Sequence, residues 1–240
     1  MPNLRIIVIS RACCRWRRLK TTVGAHDMAE KPILFSGEMV RAILEGRKTQ
    51  TRRVMKPQPF EDKSYVGGFG WPYSKNSSVA VGAPHIGGYC PYGHWEGGRL
   101  WVRETWACHR ELDEVVPRDC IGSVIWYLAT QENKHPDIGK TRPSIFMPQW
   151  ASRIMLQITN VRVERVQDIT DDDAIEEGVS RANTSIPGYA STRFAKLWDS
   201  INAKRGFSWS SNPWVWVISF QLAAPQPRLA PDPASCANQG

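Results

Sequence analysis

Two segments of the chain, residues 99–106 and 152–166, alternate apolar and polar residues with the two-residue period of a β-strand, and the largely apolar residues 214–220 are predicted to form a last strand. In the first segment this period places Leu100, Val102 and Glu104 on one face. A further strand is expected over residues 124–129, and a turn or a bulge at Thr159-Asn160 inside the second segment. Alternating strands of this kind favour a sheet whose neighbours run mostly antiparallel.

Helical spacing appears at three places, one before these strands and two between the second and the last of them. Ser36 and Thr170 are suitable N-caps for the first two helices, and the third is expected over residues 190–202. The residues predicted to form buried helix faces are Met39, Val40, Ile43 and Leu44, then Phe194, Leu197, Trp198 and Ile201. The predicted fold class is α+β, a small mixed and mostly antiparallel β-barrel with peripheral helices.

Composition divides the chain into one domain with two extensions. Residues 1–27 carry six arginines and lysines but one acid, so most of the formal charge of +8 lies there. We expect Met28 to be the natural start, residues 1–27 to have no structural role, and residues 28–222 to form the domain. A Gly-, Pro- and aromatic-rich stretch at about 56–98 is predicted to be a long irregular insertion, and the proline-rich residues 223–240 a disordered tail.

The sequence argues against a membrane span, a disulfide framework, a zinc site and a phosphate-binding loop. The apolar run Leu4–Ile9 is too short for a membrane span, so no membrane partner is expected. The six cysteines lack the spacing of a disulfide framework or a zinc site, and there is no glycine-rich phosphate loop. We predict no metal, no cofactor and a cytoplasmic location, and the oligomeric state is left open.

The segment Glu45–Arg53 concentrates groups that bind anions and carbonyl oxygens. Gly46 suits the left-handed residue that ends the first helix, and four cations and two threonines follow it. A basic helix end is common in itself. The combination of hydroxyls with cations favours a site for phosphate, carboxylate or a carbonyl group.

This segment and others resemble the ASCH domain, a PUA-like β-barrel. Residues 46–53 (Gly-Arg-Lys-Thr-Gln-Thr-Arg-Arg) are similar to its G-x-K-x-x-T-x-R signature. The start of the strand at Gly97-Gly98-Arg99-Leu100, the helix from Ile169 to Gly178 and the closing strand after Asn212-Pro213 match further elements, so the resemblance spans residues 31–222. It extends to a subgroup carried by bacteriophages and prophages and described as morphogenetic, which implies a bacterial host.

The resemblance implies that a cleft of the barrel binds RNA or a modified nucleoside. A small bacterial ASCH protein is an amidohydrolase that deacetylates N4-acetylcytidine, and its catalytic set corresponds to Lys48, Thr51 and Glu177 here. The chemistry is coherent, because a threonine needs a base to become a nucleophile and a lysine becomes one when burial or neighbouring cations lower its pKa. Without catalysis the same groups would bind a polar base or phosphate.

Three functions therefore remain open: an RNA- or nucleoside-binding protein, an amidohydrolase, and a virion-assembly accessory protein with a vestigial cleft. The predicted binding residues are Arg47, Lys48, Thr51, Arg52, Arg53 and Glu104. Glu104 is expected to face inward and to pair with Lys48 or Arg53. Arg53 is expected to hold a phosphate or to pair with Glu177. In the long insertion, Trp71, Tyr92 and Trp95 are candidates for stacking on a base.

Overall fold

The computed structural model describes residues 30–75, 77–83, 86–93, 97–131, 135–180 and 186–223. The predicted N-terminal extension, Met28, Trp95 and residues 224–240 lie outside these ranges. In the described chain the strands are β1 (Glu30–Leu34), β2 (Gln50–Val54), β3 (Phe60–Glu61), β4 (Phe69–Ser74), β5 (Ser77–Ala80), β6 (Arg99–Arg103), β7 (Trp106–Cys108), β8 (Ile125–Tyr127), β9 (Met155–Arg165) and β10 (Trp214–Leu222). The α-helices are α1 (Gly37–Leu44), α2 (Asp171–Glu176) and α3 (Tyr189–Asn202).

The central sheet has the strand order β1-β6-β9-β10-β2. β1 runs parallel to β6, and the other neighbouring strands are antiparallel, so the mixed, mostly antiparallel α+β class is confirmed. The predicted bulge is also present. Ser219 pairs with Asn160 and Phe220 with Ile158, which leaves Thr159 as the extra residue on β9.

Both faces of the central sheet are buried, and β10 shows how the sequence achieves this. Trp216 and Ile218 pack into one core, formed with α1 and β6. Val215 and Val217, which alternate with them, pack into a second core against α3. A strand buried on both faces reads as a continuous apolar run, and that is the composition of β10.

The central sheet is open in the described chain, so the predicted barrel is not confirmed. β1 and β2 are its two edge strands, and no backbone ladder joins them among the described residues. A single side chain spans the gap, because the Arg53 guanidinium on β2 donates to the Leu34 carbonyl on β1 over 2.7 Å. The sheet therefore curls until its edges are one arginine side chain apart.

The predicted irregular insertion is more ordered than expected. It contains a second sheet with the order β3-β4-β5, whose inner face adds Trp71 and Val79 to the first core. The Trp71 ring packs edge-to-face on Trp216 with centroids 5.2 Å apart, so its predicted role in stacking on a base is wrong. Pro72 inside β4 and the glycines around it hide the strand period from a sequence-based prediction.

The helix caps agree with the sequence, and two buried-face predictions fail. Ser36 accepts from the Met39 N–H and Thr170 from the Asp173 N–H, but Leu44 and Ile201 are exposed. Asp171 accepts from the backbone N–H groups of Ser191 and Gly188 at the start of α3, and these bonds lower the pKa of its carboxyl. Within the described ranges, no helix is long and apolar enough to cross a membrane.

Candidate functional site

The turn between α1 and β2 places the basic segment at the edge of the central sheet. Gly46 adopts φ of +72°, and the N–H groups of Arg47 and Lys48 both donate to the Ala42 carbonyl. Gly178, with φ of +95°, lies against this turn, and a Cβ atom there would be 3.4 Å from the Lys48 Cβ. The tight contact brings the end of α2, and with it Glu177, onto the start of β2.

Lys48 is fully buried and uses all three of its protons. Its Nζ atom donates to Glu177 Oε2 over 2.7 Å, to the Glu177 carbonyl over 2.8 Å and to the Gln50 carbonyl over 2.8 Å. Burial lowers the pKa of Lys48, and the Glu177 carboxylate opposes part of that effect. Lys48 therefore holds Glu177 in place at the edge of β2.

Arg52 is the centre of a buried network of charges behind Lys48. Its guanidinium contacts the carboxylates of Glu164, Asp173 (3.1 Å) and Glu177 (3.3 Å), and it donates to Gln50 Oε1 over 2.7 Å. Burial alone would raise the pKa of Asp173, but Arg52 and the other donors around it stabilise the carboxylate and lower the pKa. Arg52 thus has its charge compensated by three acids.

Arg53 points to the opposite side of β2 and remains largely uncompensated. Its guanidinium lies over Phe35, 5.1 Å from the ring centroid, and 6.0 Å from the ring centroid of Tyr92. The Nη2 atom of Arg53 donates to the Leu34 carbonyl, whereas the buried Nε atom has no hydrogen-bond partner among the described residues. Burial lowers the pKa of Arg53. A buried guanidinium with an unused donor is a site where a ligand gains a strong hydrogen bond.

Thr51 precedes these two arginines on β2, and its side chain is free. The residue is 3% exposed, and its hydroxyl makes no hydrogen bond within the described ranges. Strand alternation places Thr51 on the Arg53 face, in register with Ile218 as Arg53 is with Trp216. The hydroxyl is therefore available to a ligand.

These side chains meet at a cleft of about 250 Å³ that runs along β2. Besides β2, the lining includes residues of α3, residues that follow α3, and Tyr92. The lining combines polar groups with large apolar ones: Met39, Thr51, Arg52, Arg53, Val54, Lys56, Pro91, Tyr92, Glu177, Phe194, Leu197, Trp198, Ile201, Asn202, Arg205 and Phe207.

The structure brings together part of the set predicted from sequence. Thr51, Arg52, Arg53 and Glu177 line the cleft, and Lys48 lies directly behind Glu177. The partner of Glu177 is Lys48 together with Arg52, so the expected pairing with Arg53 is wrong.

Arg47 and Glu104 lie outside the cleft. Arg47 is on the surface, where it pairs with Glu45 over 2.7 Å. Glu104 faces inward as predicted, but its partner is Arg153, through bonds of 2.9 and 3.0 Å, and the expected pairing with Lys48 or Arg53 is wrong. Strand alternation sets which face a residue takes, and it does not set which cation from another element lies opposite.

Two parts of the site were not predicted from the sequence. One is the set of Arg52 partners, Gln50, Glu164 and Asp173, and the other is the aromatic lining that α3 and Phe207 supply. Glu164 had a detectable signal, because it follows Arg162 by two residues on a predicted strand and the pair shares one face.

No protein-family description and no curated protein matches the chain. Among solved structures it is similar to a protein from Enterococcus faecalis described by the family-model DUF984, with a TM-score of 0.33 and 9% sequence identity. The alignment covers 76% of this chain and 65% of the Enterococcus protein, so the chain spans less than two thirds of that protein. At this TM-score the likeness supports no inference about fold or function.

Proposed function

We propose that the cleft along β2 binds a modified nucleoside, free or as part of an RNA. One observation carries the proposal: a free hydroxyl (Thr51), a fixed carboxylate (Glu177) and a guanidinium with an unused donor (Arg53) all line one cleft with an aromatic wall. A nucleobase is flat, apolar on its faces and polar on its edge, which is the complement of this lining.

The three polar groups differ in what they offer to a ligand. The Glu177 carboxylate only accepts, the Arg53 guanidinium only donates, and the Thr51 hydroxyl does both. Because Lys48 and Arg52 hold Glu177, its acceptor position is set before the ligand arrives. Such a site favours a base whose polar edge combines an N–H donor with acceptors, as the N4 amino group, N3 and O2 of cytosine do.

The ASCH and PUA-like assignment belongs to this proposal. Its support is the motif resemblance together with the curled sheet, whose edge strands β1 and β2 are joined by the Arg53 to Leu34 bond. The bacterial host and the phage origin rest on the resemblance alone, and the cytoplasmic location rests on the cysteine pattern of the sequence.

Calorimetric titration of the full chain with cytidine, N4-acetylcytidine, uridine and adenosine tests the proposal. Thr51→Val removes the hydroxyl without changing the shape, and one lost hydrogen bond weakens binding by about 0.5–1.5 kcal/mol, roughly 2- to 12-fold in Kd. Thr49→Val is the matched control, because Thr49 is exposed and does not line the cleft. Failure of all four nucleosides to bind, or equal effects of the two substitutions, would refute the proposal.

A second candidate, the amidohydrolase, is favoured by the contact of 2.7 Å between Lys48 Nζ and Glu177 Oε2 beside a free Thr51 hydroxyl. In this reaction the Thr51 Oγ attacks the acetyl carbonyl carbon as its proton passes to a base. The C–N bond then breaks, the amine leaves with a proton, and water releases acetate from the threonine ester. Lys48 can be the base only after losing one of its three protons, each of which is donated in the structure.

Chromatography of the products separates the two candidates. Conversion of N4-acetylcytidine to cytidine and acetate that disappears in Thr51→Val, while Thr49→Val retains it, supports the enzyme. Binding of the same compound with no conversion over hours leaves the binding function and removes the catalytic one.

A further inference from the structure

The mouth of the cleft carries cations whose charge no acid neutralises. Arg53, Lys56 and Arg205 line the cleft from β2, from the segment after β2 and from the turn after α3. Among the described residues none of them has a carboxylate partner within ion-pair distance, whereas Arg52 has three. Glu177 is the single acid in the lining, and it is already paired with Lys48 and Arg52.

Aromatic rings hold two of these cations in position. The Lys56 Nζ lies 5.1 Å from the Phe207 ring centroid, and the Arg53 guanidinium lies 5.1 Å from that of Phe35. A cation over an aromatic face is oriented but keeps its full charge, so it remains able to bind an anion. Phe207 follows Arg205 closely along the chain, so ring and cation stand at the same end of the cleft.

Arg53 and Arg205 are close enough to repel each other. Burial lowers the pKa of Arg53 most, Tyr92 and Glu177 oppose part of that effect, and repulsion from Arg205 adds to it. Like charges that share a cleft raise the free energy of the empty site, and a bound dianion relieves that cost. An uncharged nucleoside would leave this repulsion unrelieved.

We propose that Lys56 and Arg205, with Arg53 behind them, form a phosphate subsite, so that the ligand of the cleft is a nucleotide unit. This inference rests on the proposed function and narrows it: the base lies against Thr51 and Glu177, and its phosphate lies at the mouth. Phosphate is the anion that lysine and arginine bind most strongly through charge-assisted hydrogen bonds. The phosphate belongs either to a free nucleoside monophosphate or to the phosphodiester of an RNA strand.

The test compares three probes on the full chain by calorimetry: cytidine, cytidine 5′-monophosphate and a short oligoribonucleotide with cytidine at its centre. The monophosphate is expected to bind roughly tenfold or more tightly than cytidine. In the double variant Lys56→Ala, Arg205→Ala the two affinities should fall within about a factor of two of each other. Lys204→Ala is the matched control, because Lys204 is exposed, precedes Arg205 and does not line the cleft, and it should keep the tenfold preference.

Each outcome is informative. Monophosphate binding that equals or exceeds oligoribonucleotide binding identifies a free nucleotide, and stronger oligoribonucleotide binding with a steeper salt dependence identifies RNA. Cytidine binding with no gain from the phosphate overturns the subsite and leaves the proposed function intact. A preference for phosphate that Lys204→Ala removes as fully as the double variant also overturns it. Failure of all three probes to bind overturns both proposals.

Discussion

Replacing Lys48 by methionine tests whether the buried pair with Glu177 organises the site. Methionine has similar length and fills the same space, so the change removes the charge and three hydrogen bonds rather than volume. Breaking a buried pair by removing one partner costs about 3–5 kcal/mol, because the other charge stays buried. Arg52 still contacts Glu177 at 3.3 Å, so the lower end of that range, about 3 kcal/mol, is expected.

Urea denaturation followed by tryptophan fluorescence measures this loss. For a chain of this size about 3 kcal/mol corresponds to a fall in Tm of roughly 6–12 °C. The neighbouring Arg47→Met is the matched control: its side chain is 44% exposed and its partner Glu45 is 53% exposed. Removing an exposed pair costs at most about 1 kcal/mol.

A double-mutant cycle locates the cause. In Lys48→Met, Glu177→Gln the orphaned charge is gone, so the combined loss should be smaller than the sum of the single losses by about 0.5–3 kcal/mol. If Lys48→Met costs no more than Arg47→Met, or if the losses are additive, the pair does not organise the site and the reasoning is refuted.

Three further predictions concern the supports of the site. Gly178→Ala should lower the free energy of unfolding by about 1–3 kcal/mol, which is more than Gly46→Ala should. Both glycines have positive φ, but only at Gly178 would an added Cβ atom contact its neighbours closely. Equal losses for the two variants in urea denaturation would contradict this. With Asp171→Asn, the free energy of unfolding should fall less as the pH is lowered. The folded-state pKa of Asp171 lies below 3.8, so its contribution is present above 3.8 and is lost as pH falls through that lower pKa; identical acid titrations would count against the bonds to α3. Arg153→Met should lower the free energy of unfolding by about 3 kcal/mol by orphaning Glu104, while nucleoside affinity by calorimetry stays the same; a weaker affinity would return Glu104 to the site.

The elements with strong periodicity could be predicted from sequence, and β2 could not. The strands β9 and β10 and the helix α3 bury apolar residues at regular spacing, so pattern and structure agree. β2 has the sequence Gln-Thr-Arg-Arg-Val, and its first three residues are buried although all are polar. Acids from β9 and α2 compensate the buried charge of β2. A local sequence pattern does not predict such contacts, because the residues are more than a hundred positions apart.

The site was recognised as one basic segment, but its residues act on two sides of a strand. Val217 lies opposite Arg52 and Trp216 lies opposite Arg53, and these two residues of β10 belong to different cores. Arg52 therefore lies with the acids of β9 and α2, while Arg53 lies with Phe35 and Tyr92. The sequence predicted all four cations of the segment as binding residues of one site, and the two-residue period of the strand separates them by role.

The separation of the cations onto two faces of β2 explains how one short segment can both stabilise the cleft and offer groups to a ligand. The cations that face the acids, Lys48 and Arg52, use their donors on Glu177 and its neighbours and so fix the carboxylate. Arg53, one residue further along, has no ion-pair partner among the described residues and keeps a buried donor unused. If β2 slipped by one residue, Arg53 would take the place of Arg52 among the acids and the cleft would lose its uncompensated charge. The bulge at Thr159 lies on β9 beyond Asn160, at the end of the stretch where β10 also pairs with β2, and leaves that register intact. The register of β2 against β10 is therefore what assigns one arginine to structure and the next to the ligand.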